Sequence, residues 1–243
     1  MRNNPALSKL CNLDSFLEQD DFMTIYLGLN QQTAKRYCAH FAPILKIVPF
    51  AKSSPQFRLA FRYLEKTSHI LLTSPSSTSL FLSRMSKEVS KRTLENKHYL
   101  CLGKITAHRL IRLLPKAQHS LATIETGEGI LPLISSLPED TRILYPHSAL
   151  SRSVIKDFLE KENRCFFAYP HYRIQEIQLE SKIFDRCNRV ILTSPSGVRA
   201  YAKLFPNLPN RTHLCQGPIT LKEFQKIYSH PGKLLHEERS VES

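Results

Sequence analysis

The chain has 243 residues, 42% of them apolar and 23% charged, the balance of a globular protein with one large or two smaller domains. No apolar run approaches the roughly 18 residues of a membrane span, the first residues lack a signal-peptide core, and six scattered cysteines form no CxxC or Cys/His cluster, so reduced thiols and a cytoplasmic protein are expected. The outlier is a net charge of +13, which calls for an anionic partner (nucleic acid, a membrane surface, or a polycarboxylate or phosphate ligand) unless it reflects only a basic proteome.

Residues 1–20 carry no clear periodicity, with one helical turn expected around Leu13–Leu17. A strand is expected over 22–28, then a helix over 30–41 with Ala34, Tyr37, Cys38 and Phe41 along one stripe. Ile44–Phe50 reads as a strand and Gln56–Lys66 as an amphipathic helix. Ile70-Leu71-Leu72 then runs into Thr73-Ser74-Pro75-Ser76, an apolar strand turning into a helix. The connector with Lys87, Lys91, Arg92 and Lys97 holds the densest basic patch and reads as a solvated face. Strand Leu100–Leu102 leads through Gly103 into a helix ending near Leu114, followed by a strand at Leu121–Glu125 and a helix at Gly127–Leu137.

The second half repeats the pattern. Strand Arg142–Tyr145, helix Ser151–Glu162, strand Cys165–Pro170 and helix Leu179–Cys187 precede Val190–Leu192, which runs into Thr193-Ser194-Pro195-Ser196. Strand His213–Gln216 and helix Ile219–Tyr228 complete it, and the tail from Ser229 reads as polar and frayed. Two copies of Thr-Ser-Pro-Ser, two of Gly-x-x-Thr (Gly103–Thr106, Gly217–Thr220) and a shared upstream strand, all in the same order, indicate a duplicated α/β unit with parallel sheets.

HExxH, GxSxG and Walker motifs are missing, and the six Asp residues are dispersed, so a carboxylate-built metal site is not expected. What remains are turns after Leu72, Leu102, Leu192 and Gln216, at the carboxyl ends of strands where open parallel sheets bind ligands. Free N–H groups and the positive end of each helix dipole favour anions there. Simple capping by Ser and Thr is the alternative for any one turn; four equivalent turns on a basic chain favour an anion with several arms.

These motifs, with an apolar strand ending in Tyr at mid-chain, resemble uroporphyrinogen-III synthase over roughly residues 22–228. The resemblance implies two α/β domains joined by a two-stranded ladder, Ile44–Phe50 against Cys165–Tyr172, with the active site in the cleft between them. The domains would be 1–47 with 172–243, and an inserted 48–171. It implies a cofactor-free enzyme, expected to be a monomer, that closes hydroxymethylbilane, inverts ring D and loses water. The substrate's eight carboxylates would match the basic charge, and hydroxymethylbilane synthase would hand it over.

By the same resemblance Tyr169 would assist departure of the hydroxyl. Substrate contacts would come from Thr73, Ser74, Gly103, Lys104, Ile105, Thr106, Ser194, Gly197, Gly217, Pro218, Ile219 and Thr220. Two departures stand out: Lys104-Ile105-Thr106 and Pro218-Ile219-Thr220 keep only the last Thr of the family's turn, and only Pro231–Ser243 follows the last helix where the family continues with a strand and a helix. A non-catalytic binding protein for a small polyanion and a basic nucleic-acid-binding module are the competing readings.

Overall fold

The structure, a computed structural model, describes residues 23–236. The turn expected around Leu13–Leu17 and the end of the tail, 237–243, lie outside the described residues. In chain order come β1 (Met23–Tyr26), α1 (Gln31–Arg36), β2 (His40–Phe41), β3 (Leu45–Pro49), α2 (Pro55–Lys66), β4 (His69–Leu72), α3 (Pro75–Met85) and α4 (Lys91–Glu95). Then follow β5 (His98–Cys101), α5 (Lys104–Leu113), β6 (Gln118–Leu121), α6 (Leu131–Ser135), β7 (Arg142–Ser148), α7 (Val154–Lys161) and β8 (Cys165–Glu176). A short 3-10 turn at Ser181–Phe184 precedes β9 (Cys187–Leu192), α8 (Pro195–Leu204), β10 (Thr212–Cys215), α9 (Pro218–Tyr228) and β11 (Lys233–Leu234).

These elements form two compact units, Met1–Lys46 with Glu176–Ser243, and Ile47–Gln175. The first contains a parallel sheet in the order β11-β10-β9-β1-β2. The six-stranded sheet has the order β3-β8-β7-β4-β5-β6, parallel from β8 to β6. Read from β7, its parallel strands follow the same spatial order as the first sheet. In each, the order reverses at one place, between β1 and β9 and between β7 and β4, and such a switch point is where doubly wound sheets open a crevice. The chain passes between the units in β3 and β8, which are paired in opposite directions: Phe50 N donates to His171 O at 3.1 Å, and Ile177 N to Ile44 O at 2.9 Å.

Strand β4 shows why these runs become central strands. Its residues point alternately to opposite faces, and both faces are covered. Ile70 and Leu72 join Phe57, Leu64, Phe81 and Tyr99 in one core, while Leu71 joins Leu100, Ile143 and Leu159 in the other. Only an uninterrupted apolar run satisfies two covered faces. The helices start where the sequence places caps: Ser54, Ser74 and Ser194 each accept a backbone N–H with their side chains, and each is followed by Pro at the first turn.

Several boundaries differ from the sequence reading. The helix expected over 30–41 stops at Arg36, because Cys38 takes a left-handed φ of 48° and the chain re-enters the sheet as β2. The strand expected at Leu121–Glu125 lies earlier, at β6, and residues 122–130 form a loop. The helix expected from Gly127 begins only at Leu131, with Pro132 in its first turn, since Gly127 and Gly129 weaken any earlier start. Leu179–Cys187 forms the 3-10 turn and the start of β9 instead of a helix. The basic connector contains the short helix α4, capped by Ser90. After Ser229 the chain is not frayed throughout: β11 pairs with β10 and Leu235 is buried.

Leu71 is fully buried in a central strand. Leu71→Ala is expected to destabilise the fold by about 2–5 kcal/mol, read as a lowered urea midpoint with an unchanged slope.

Candidate active site

In the second unit, Leu72 pairs with Cys101, and Leu102 N donates to Leu72 O at 3.0 Å. This register sets the β4–α3 and β5–α5 turns side by side, with α3 packed against α5. Ser74 is an extended N-cap whose hydroxyl oxygen accepts from Ser77 N at 3.1 Å, leaving its own hydrogen free to donate. Gly103 caps α5 with no side-chain bond, but the first N–H is occupied: Lys104 N donates to Glu125 Oε1 at 2.9 Å. A Cβ on Gly103 would stand 2.7 Å from Glu125 Oε2, so glycine permits this approach. Thr106 is buried under the turn, whereas Ile105 is 70% exposed beside it.

Thr73 and Leu102 share the wall of a cavity of about 150 Å³ with Gly127, Tyr145, Ser151, Arg152, Val154 and Ile155. It lies at the β7/β4 switch point. Tyr145, at the carboxyl end of the apolar part of β7, is buried, and desolvation raises its pKa; hydrogen bonds with Ser151 and Thr73 oppose that shift. Tyr145, Ser151 and Arg152 are absent from the sequence-derived site. The strand ending in Tyr145 is legible as a strand, but nothing local shows that its last residue faces Thr73.

In the first unit, Leu192 pairs with Cys215 and Gln216 N donates to Leu192 O at 2.9 Å, again setting two turns together, with α8 against α9. Ser194 Oγ accepts from Gly197 N at 3.1 Å, so Gly197 serves the cap, and its N–H is used within the turn. Gly217 caps α9 without a side-chain bond, and a Cβ there would meet nothing within 4 Å among the described residues. Pro218 contributes no N–H, Ile219 is 76% exposed and Thr220 is buried. Thr193 packs on Gly28, where a Cβ would stand 2.6 Å from both Thr193 Cγ2 and the Tyr26 ring. Thus Tyr26 and Thr193 sit at the β1/β9 switch point as Tyr145 and Thr73 do at the other.

Tyr169 is elsewhere. It pairs with Pro146, is 2% exposed and belongs to the core with Phe57, Phe81 and Leu144. Its ring is 5.9 Å from those of Phe167 and His171. Desolvation raises its pKa, so the phenol stays protonated. Beside it lies a buried polar group. Ser77 Oγ is 3.1 Å from Pro146 O and 2.8 Å from His171 Nε2. The single hydroxyl hydrogen goes to the carbonyl, so His171 Nε2 donates to Ser77 and Nδ1 keeps a lone pair, which has no partner among the described residues. Burial, with Arg84 and His147 nearby, lowers the His171 pKa to about 3.

Among the described residues no group of three or more His, Cys, Asp or Glu could hold a metal, and no helix is long and apolar enough to cross a membrane. The family described as uroporphyrinogen-III synthase HemD matches residues 32–231. The chain belongs to the uroporphyrinogen-III synthase family. Its members are lyases of tetrapyrrole and haem biosynthesis, and the family's step is a ring closure. No curated protein matches the chain. Among solved structures, uroporphyrinogen-III synthetase from Helicobacter pylori 26695 matches at TM-score 0.63 and 16% identity, over 91% of this chain and 99% of that one. A mutant uroporphyrinogen III synthase from the extremely thermophilic bacterium Thermus thermophilus matches at TM-score 0.60 and 13% identity, over 91% and 99%. At these identities the likeness is one of fold, a two-domain α/β architecture.

A neutral buried His171 makes acid a stress on the fold. Its folded pKa lies below the ordinary value of 6.5, so the unfolded chain binds more protons between about 6.5 and about 3, and stability is lost as pH falls through that window. His171→Gln is expected to flatten the slope of denaturation midpoint against pH in that range, measured by urea unfolding at closely spaced pH values.

Proposed function

We propose that the chain cyclises hydroxymethylbilane to uroporphyrinogen III, with inversion of ring D and loss of water, chiefly by positioning the polycarboxylate substrate. The family match supports the ring closure. The observation that carries the recognition is the Gly103 turn, which already accepts a carboxylate on a backbone N–H. In the second unit, Thr73, Ser74 and the residues Gly103–Thr106 would engage one set of propionate and acetate arms. Ser194, Gly197 and the residues Gly217–Thr220 would do so in the first. Exposed Ile105 and Ile219 beside these turns offer apolar contacts that suit the faces of pyrrole rings. The common strand order of the two units supports their origin as a duplicated pair.

The chemistry asks little of the protein. Departure of the hydroxyl as water leaves an azafulvene cation, stabilised by the pyrrole nitrogen. The substituted carbon of ring D then attacks to form a spiro intermediate. Its original methylene bond breaks to give a second azafulvene cation, and the free α-carbon of ring D closes on that methylene with loss of a proton. Unassisted closure gives the uninverted isomer, so orientation is the main contribution. The departing hydroxyl needs a proton, and Tyr169 is the donor we assign from its place in the crossing strand. Its phenol must reach the hydroxyl from a 2% exposed position.

Tyr169→Phe in a coupled assay is expected to lower kcat for isomer III by roughly ten- to a thousandfold while the thermal midpoint stays within a few degrees. An unchanged kcat would confine Tyr169 to packing. Uroporphyrin I, added to the wild-type chain, is expected to bind and to compete with substrate, whereas duplex DNA at physiological salt is not; the reverse preference would favour the nucleic-acid reading.

A further inference from the structure

The loop between β6 and α6 contains two carboxylates, and both rest on anion-binding groups of the second unit. Glu125 Oε1 accepts from Lys104 N at 2.9 Å, at the start of α5, where the Gly103 cap has no side chain to offer. Three residues on, Glu128 takes the Arg152 guanidinium in a two-bonded grip, Nη1 to Oε1 at 2.7 Å and Nη2 to Oε2 at 3.0 Å. Between them Gly127 lines the switch-point cavity together with Thr73, Tyr145 and Arg152. A Cβ on Gly127 would stand 3.2 Å from Arg152 Nη2.

The geometry points to a displaceable internal pseudo-ligand: Glu125 and Glu128 occupy the carboxylate subsites of the second unit until two carboxylate arms of the substrate replace them. The inference rests on the reading of these turns as substrate contacts.

The build of the loop fits that use. Its ends are anchored, with Ala122 and Ile130 buried in the core. Between them Thr123, Ile124, Glu125, Thr126 and Glu128 are exposed. Internal bonds shape the loop's backbone: Thr126 N donates to Ile124 O at 2.7 Å and Gly129 N to Thr126 Oγ1 at 3.0 Å. Gly129 is required, since a Cβ there would fall 2.2 Å from Ile124 O. Both grips are solvent-exposed (the Arg152 and Glu128 side chains are 65% and 55% accessible), so each is weak enough for exchange. Among the described residues the equivalent turn of the first unit has no such occupant: Pro218 there has no N–H to offer, and a Cβ on Gly217 would meet nothing within 4 Å. A pyrrole carrying adjacent acetate and propionate presents two carboxylates on one rigid ring, the arrangement that the loop imitates with Glu125 and Glu128. The two receptors then remain neutralised in the free protein and select a ligand with two acids.

The test uses the full chain with Glu125→Gln, Glu128→Gln and the double variant, and Glu162→Gln as an exposed control of equal charge change. Binding of uroporphyrin I is followed by fluorescence, and KM and kcat are taken from the coupled assay. Each single variant is expected to tighten uroporphyrin I binding and lower KM by roughly three- to tenfold at unchanged kcat, the double variant by more, and the control not at all. Unchanged affinity in all three variants would overturn the proposal. So would weaker binding with an unchanged thermal midpoint, which would make the two acids part of the binding wall. Should a Gln variant unfold, Glu125→Ala and Glu128→Ala give the same readout. Formation of isomer I alone by the wild-type chain would instead refute the synthase reading, and the uroporphyrin I titration would still decide the loop's role.

Discussion

Parallel pairing at the strand ends is the constraint on which the rest depends. Leu72 opposite Cys101 and Leu192 opposite Cys215 fix two strand ends level with each other in each unit. Level ends force the helices that follow to start side by side, with α3 against α5 and α8 against α9. A register slip of one residue would turn every side chain of these strands to the wrong face and carry the turns out of line. The covered faces on both sides of β4 make such a slip costly, because Ile70, Leu71 and Leu72 are all fully buried. The alignment of the turns is thus a consequence of the core.

Much of this was legible in the sequence. The apolar runs ending in Thr-Ser-Pro-Ser are strands followed by helices, with Ser74 and Ser194 as the caps. The Gly103 and Gly217 turns begin helices with no side-chain cap. What could not be read is where local propensity and tertiary context part. The left-handed Cys38 has no sequence signal, since only position in the fold fixes its φ. The run Leu121–Ile124 is strand-like in composition, but pairing with His98–Cys101 draws in residues 118–121 and leaves the apolar remainder in a loop. The spacing of Glu125 and Glu128 means nothing until α5 and Arg152 are placed around them.

The site residues divide in the same way. Thr73 and the Gly103 turn come together because strand order demands it, and Tyr145 joins them from β7, which lies far away in sequence but next to β4 in the sheet. Thr106 and Thr220 are buried beneath their turns, and the preceding isoleucine is the exposed side chain at each. In Ser74 and Ser194 the hydroxyl oxygen serves as the helix cap, accepting from Ser77 N and Gly197 N. The net charge of +13 supplies a long-range attraction for any polyacid. Specificity must then come from the short-range geometry of the turns, since charge alone does not distinguish acids.

The most direct test of the central claim is the isomer composition of the product formed from hydroxymethylbilane, generated in place by its own synthase, oxidised and separated by chromatography. Predominant isomer III in the presence of the full chain, against isomer I in its absence, is the predicted result. Isomer I alone, from protein shown to be folded by a cooperative melt, would contradict it.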